Sequence, residues 1–303
     1  MHTIPKLQDP ETGEIDFAFA RADHTVDVHN LAVGGSNLKD VVDVPSLSNI
    51  PVNFITRLVY EPFGGLFDRI TETQLDRVDA LEPTLIFTTD LYGNDLIAPF
   101  VNADIIDIEL ATPLEELLFD LERVVSRLAA TGAYVFIGNL PSPDLLPVTQ
   151  EKRRAMLAAV GEGMEDPDEI AQAREDLAAE IDGQIFEIAS RAEACNLALQ
   201  EQADLYPKVF VVDLATATKG LASAGLNVGD EYLTVGKFGG LLGLDGIHFS
   251  DTGYALIANL FANTINKELG VDIPYVDFAA ILVDDMESPG NLKAAGLDGS
   301  LCH

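Results

Sequence analysis

Pro83-Thr-Leu-Ile-Phe-Thr-Thr89 is a short apolar run entered through a proline, and Leu91-Tyr-Gly-Asn-Asp95 follows it almost at once. A run of this length, apolar on both parities, is the form taken by a strand buried on both faces. Loops that leave the carboxyl ends of such strands are where parallel sheets build their sites. The carboxamide of Asn94 stands in that loop. The run therefore argues for a parallel sheet and marks one end of it as the functional end.

The same rhythm recurs on either side. Val26–Val33 reads as a strand closing in Gly34-Gly35, with a helical piece from Ser36 to Val42 behind it. Thr112-Pro113-Leu114-Glu115 is a helix-start signature: a hydroxyl cap, proline at the first position and Glu three residues past the cap. Leu114, Leu117, Leu118, Leu121, Val124, Val125 and Leu128 then share one helical face until Gly132. Ala133–Ile137 and Val209–Leu214 are further short strands. A last helix starts near Ser250, with Tyr254, Ile257, Phe261 and Ile265 on one face. Strands alternating with helices predict an α/β fold with a parallel sheet covered on both sides.

Two stretches break the rhythm. Residues 150–202 are charged and helical, with Leu177, Ile181, Ile185, Ile188 and Ala192 on one face. They read as a long crossover helix packed on the surface, with a helical cap beside the site as the other reading. After about residue 274 comes a short apolar run, Phe278–Val283, and then a Pro- and Gly-containing tail expected to be loosely held. No internal repeat or boundary divides the chain, so 303 residues are expected to form one domain.

Charge narrows the partners. Fifty acids against 18 bases leave a formal net charge of −32, and such a surface repels nucleic acid and anionic membranes. It suits a very soluble acidic protein, a high-salt setting, or an oligomer that neutralises part of it; the oligomeric state is not legible. A hydrophobic content of 48% is enough for a core. Cys195 and Cys302 form no disulfide framework and have no metal-ligand spacing, so neither metal nor cofactor is expected. No apolar run reaches the roughly 18 residues that span a bilayer. The first residues lack the pattern of a signal peptide.

The chemistry concentrates in Leu244-Asp-Gly-Ile-His-Phe-Ser250. Asp245 and His248 stand three residues apart in a loop that runs into a helix, so the carboxylate can reach the imidazole locally. An acid that fixes the tautomer of an imidazole and stabilises its protonated form is half of an acyl-transfer machine. The other histidines, His2, His24, His29 and His303, are terminal or strand-associated and carry no such partner. Gly34-Gly35 allows close backbone approach, and the Gly35 N–H is a candidate oxyanion donor beside Asn94. No Gly-rich phosphate loop occurs, which argues against a dinucleotide-binding domain.

Asn30-Leu-Ala-Val-Gly-Gly35, Gly93-Asn94-Asp95 and Asp245-Gly-Ile-His248, in this order, resemble the SGNH hydrolases, also called the GDSL esterase/lipase family. Val135-Phe-Ile-Gly-Asn-Leu-Pro141 is similar to that family's strand before the crossover, and the resemblance spans about Val26 to Leu269. It implies a three-layer α/β/α sandwich with a flavodoxin-like parallel sheet of about five strands. It also implies hydrolysis of a carboxylic ester, small or lipid, through a serine acyl-enzyme. On that pattern His248 is the general base, Asp245 its orienting acid, and Gly35 and Asn94 the oxyanion hole. A non-catalytic module binding a glycan or lipid is the alternative. Two departures stand out. Tyr92 occupies a position that is usually glycine, which is expected to narrow or re-aim the oxyanion loop. The Gly-Asp-Ser block that should precede Asn30 is not found: no serine occurs before Ser36, which directly adjoins the oxyanion glycine. The expectation is therefore a chain missing its first strand and its nucleophile, truncated at the N-terminus and inactive in this form. A leader on such a missing segment would be compatible with secretion or the cell envelope.

Overall fold

A computed structural model describes residues 36–43, 73–161 and 164–297. The expected Val26–Val33 strand, Gly35 and the last six residues lie outside the described residues. The chain divides into two compact units, residues 1–84 and 85–303. In the first, α1 (Leu38–Asp43) occupies the helical piece expected after Gly35. Helix α2 (Gln74–Leu81) begins in a capping box, with Thr73 Oγ1 accepting the Asp76 N–H at 3.1 Å and Asp76 accepting the Thr73 N–H at 2.8 Å. Each helix buries a leucine, Leu38 and Leu75.

The second unit carries a three-stranded parallel sheet, β1 (Leu85–Thr88), β2 (Tyr134–Gly138) and β3 (Val209–Val212), in sequence order. Leu85 pairs with Tyr134 and Val135 with Val209, so the three carboxyl ends finish side by side. Val135, Phe136 and Ile137 have no exposed surface. Successive strand residues face opposite ways, so β2 is buried on both faces. Phe136 stacks on Phe210, ring centroids 5.0 Å apart, and packs with Val212 against Ile257, Phe261 and Ile265 of α8 (Asp251–Leu269). The sheet ends crowd at Gly138. A Cβ there would stand 2.6 Å from Leu214 Cδ1 and 3.1 Å from the Thr89 carbonyl oxygen. Only a hydrogen fits between β2 and its neighbours at that point.

Helices α3 (Gly93–Val101) and α4 (Leu114–Ala130) join β1 to β2. Leu117, Leu121, Val124, Val125 and Leu128 of α4 are buried as the periodicity predicts, and Gly132 follows in the left-handed region at φ 75°. Its start differs from expectation. Thr112 does not cap α4; the cap position is Pro113, with no side-chain bond. The reason lies in α3. Pro99 sits inside that helix and has no N–H for the Asp95 carbonyl four residues back. The Thr112 N–H fills the gap at 2.9 Å, and Thr112 Oγ1 donates to the buried Asp95 carboxylate at 2.6 Å. The hydroxyl read as a cap is consumed by a longer-range bond.

Between β2 and β3 run α5 (Pro147–Ala159) and α6 (Pro167–Ala203). The charged stretch is thus a crossover, with α6 extending about 55 Å at 1.5 Å per residue. Only its second half is buried, through Ile181, Ile185, Ile188, Ala192, Cys195, Leu199 and Ala203. This half packs against α4 and β3. After α7 (Leu214–Ala224), an antiparallel hairpin of β4 (Leu226–Val228) and β5 (Glu231–Leu233) appears that the sequence reading did not anticipate. The residues after 274, expected to be loosely held, carry α9 (Phe278–Asp284) and α10 (Pro289–Ala294). Leu282 of α9 shares a second core with Val228, Leu233, Val235, Leu241 and Leu242. The apolar run that looked like a tail is a lid on that core.

Because Phe136 belongs to both the sheet and the α8 core, Phe136→Ala should cost about 3–5 kcal/mol. Urea unfolding followed by circular dichroism checks this through the shift in midpoint.

Candidate active site

The loop after β5 turns sharply to present Asp245 and His248. Its two arms are joined by the Gly243 N–H donating to the His248 carbonyl at 2.7 Å, and by a bridge between Leu242 and Phe249. Inside the turn, Asp245 Oδ1 accepts the N–H groups of Ile247 at 2.9 Å and His248 at 3.0 Å. An Asp side chain that holds amides two and three residues on makes the turn with its own carboxylate. The other oxygen, Oδ2, lies 2.6 Å from His248 Nδ1. One carboxylate therefore both builds the turn and aims the ring. Nδ1 is committed to Asp245, which leaves Nε2 as the proton-accepting nitrogen of the neutral ring. The ring is 69% exposed and open to an incoming group.

Gly246 makes this turn possible. It sits at φ 71°, and a Cβ on it would stand 2.8 Å from the Val148 nitrogen at the first turn of α5. That same Val148 N–H donates to the Gly246 carbonyl at 3.3 Å. Burial acts on the Asp245 carboxyl to raise its pKa. The hydrogen bonds from His248 and from the Ile247 and His248 amides act the other way and prevail, so it lies below its ordinary value of 3.8. Asp245 is thus an anion at neutral pH.

Asn94 stands in the first turn of α3, in the loop that leaves β1. Tyr92, two residues before it, turns away from solvent. Its ring is 1% exposed, driven inward, and its hydroxyl donates to Asn196 Oδ1 on α6. Asn196 also clasps the loop after β2: Oδ1 accepts the Leu140 N–H and Nδ2 donates to the Leu140 carbonyl, both at 2.9 Å. A single amide of the long crossover helix thus ties the loops behind β1 and β2 together. Burial pushes the Tyr92 hydroxyl well above its ordinary pKa, and burial also pushes the adjacent Cys195 thiol up to about 12. Both stay neutral packing groups.

The carboxyl end of β2 is tied to that of β3 as well. Asn139 Nδ2 donates to Asp213 Oδ1 at 3.0 Å, and its Oδ1 accepts the Ala215 N–H at 2.8 Å. Burial, and after it the charges of Asp90 just past β1 and of Asp245, raise the hydroxyl of Tyr254, in the first turns of α8, above its ordinary pKa. Tyr254 thus lies within electrostatic reach of both the end of β1 and the Asp–His loop. Of the residues read from the sequence, Asp245 and His248 are in direct contact, Asn94 opens α3 beyond β1, and Gly35 lies outside the described residues.

The described serines between 85 and 297 all have local employment. Ser250 Oγ donates to the Gly240 carbonyl and accepts the Gly253 N–H to cap α8, and Ser288 accepts the Asn291 N–H. Ser126, Ser190 and Ser223 donate to carbonyls of their own helices, and Ser142 donates to Asp144. Among the described residues, no group of three or more His, Cys, Asp or Glu side chains is arranged to hold a metal, and no helix is long and apolar enough to cross a membrane.

The profile of GDSL-like lipases/acylhydrolases matches residues 8–261, and the chain belongs to that family of hydrolases. Comparison with curated proteins and with solved structures returned no match. The mixed α/β arrangement around a parallel sheet is consistent with the family's fold.

A carboxyl held below its ordinary pKa stabilises the fold above that value, and the contribution disappears as pH falls through the lower, folded-state pKa. Protection of the Ile247 and His248 amides, corrected for intrinsic exchange, should therefore be flat from neutral pH to 3.8 and collapse only below it. Amide exchange by NMR measures this, and loss centred above 3.8 contradicts the geometry.

Proposed function

We propose that the chain is a carboxylic ester hydrolase in which His248 is the general base, oriented by Asp245. The supporting observation is the 2.6 Å contact from His248 Nδ1 to a carboxylate that also builds the turn carrying the ring. Family membership supports an ester as substrate. On this reading Nε2 takes the proton of a serine hydroxyl as its oxygen attacks the ester carbonyl. The Gly35 N–H and the Asn94 carboxamide stabilise the resulting oxyanion. The tetrahedral adduct collapses, the protonated imidazole gives its proton to the departing alkoxide, and an acyl-serine remains. Water, deprotonated by the same Nε2, then releases the carboxylic acid. The accompanying fold reading is a three-layer α/β/α sandwich with a flavodoxin-like sheet, in which β1, β2 and β3 are three of the strands.

The serine itself is unassigned, because those described between 85 and 297 are engaged in caps and turns. That observation favours one second reading, a module that keeps the pocket to bind a glycan or lipid without turning it over. Two measurements separate the readings. Hydrolysis of p-nitrophenyl butyrate should fall by about 10²–10⁴-fold in His248→Ala, the usual worth of a positioned base. Turnover that survives this change unaltered removes His248 from the mechanism, and binding of ester without turnover in the unmodified chain supports the module. A fluorophosphonate probe should label none of the described serines. Label that vanishes in Ser36→Ala would make Ser36 the nucleophile.

A further inference from the structure

We infer that Glu287 is a positioning residue for the His248 imidazole, acting through the loop that bears it; this rests on the reading of Asp245 and His248 as orienting acid and base. Glu287 Oε1 accepts the N–H of Leu244, the residue immediately before Asp245, at 2.9 Å. A Cβ added to Gly243 would stand 3.2 Å from both carboxylate oxygens. Gly243 is the residue whose N–H holds the His248 carbonyl and whose carbonyl accepts the Gly246 N–H at 2.9 Å. Glu287 therefore lies beside the rung that closes the Asp245–His248 turn.

The Glu287 backbone is itself held. Asp285, 1% exposed, accepts the Glu287 N–H through Oδ1 at 2.9 Å. Through Oδ2 it accepts the Thr252 N–H at 2.8 Å and the Thr252 hydroxyl at 2.6 Å. Thr252 lies in the first turn of α8, directly downstream of His248. The two acids thus grip the loop from both flanks, Glu287 upstream and Asp285 downstream. Asn291 Nδ2 closes the gripping segment on itself by donating to the carbonyls of Asp285 at 2.8 Å and Val283 at 3.2 Å. Bonds to a carboxylate are stronger than neutral ones, and a reacting group displaced by about 1 Å can lose about 10²-fold in rate. Asp285, Glu287 and Asn291 lie beyond residue 261, where the family profile ends.

The test uses the full chain labelled with ¹⁵N-histidine. The short bond to Asp245 should give His248 a slowly exchanging, downfield Nδ1–H proton, identified by its loss in His248→Ala. In Glu287→Ala that proton should exchange with water about 5-fold or more faster, the equivalent of one lost hydrogen bond. Glu287→Gln should restore it, because an amide oxygen accepts the same Leu244 N–H. Unchanged exchange in Glu287→Ala, with the wild-type proton present, overturns the inference while leaving the Asp–His pair standing. Glu287→Gln behaving like Glu287→Ala also overturns it. A wild-type chain with no such proton removes the pair, and the inference with it. Circular dichroism confirms that each variant is folded.

Discussion

Val135, Phe136 and Ile137 of β2 have no exposed surface, and the arrangement of the second unit follows from covering them. A strand buried on both faces needs apolar cover; α8 supplies it at Phe136, and α4 also packs against the strand. Parallel neighbours require crossovers, and those crossovers bring every strand back in the same direction. The three carboxyl ends consequently share one edge, at which Asn139 ties β2 to β3 and Asn196 ties the loops after β1 and β2. The loops after the strands are gathered at that edge by the burial of the middle strand.

The Asp245–His248 turn is built differently. Its dominant forces are local: one carboxylate satisfies two amides and a ring nitrogen within four residues. Such a turn could form in many settings. Its direction, however, is set by distant chain. The α5 backbone presses on Gly246, Phe249 packs against the α8 core, and the Asp285–Glu287 pair holds both flanks. A locally determined shape is thus aimed by non-local contacts.

Legibility in the sequence tracks this division. Strands β1, β2 and β3 were readable within a residue or two, because short apolar runs bounded by prolines and glycines have few alternatives. The buried face of α4 was readable from its 3.6-residue period. Thr112 misled because a capping box is a local pattern, and the competing demand of the Asp95 carbonyl arises only from Pro99 in another helix. The burial of Tyr92 was not readable either, because its partner Asn196 is 104 residues away. The residues after 274 read as loose because their few apolar side chains carry no long period. The core they cover is assembled from β4, β5 and the 241–242 segment, which are distant in sequence.

From the sequence alone came the α/β class, the strand positions, the family resemblance and the Asp–His pair. Each depends on interactions within a few residues or on a residue order that a linear chain displays. Tertiary structure decided the inward fate of Tyr92, the diversion of Thr112 to Asp95 and the grip of Asp285 and Glu287 on the Asp245–His248 turn. Those outcomes depend on which unpaired donors and acceptors come to lie opposite one another. Leu244 and Glu287 are 43 residues apart, and no periodicity links them. Only the packing of α9 over the second core brings the carboxylate to the amide.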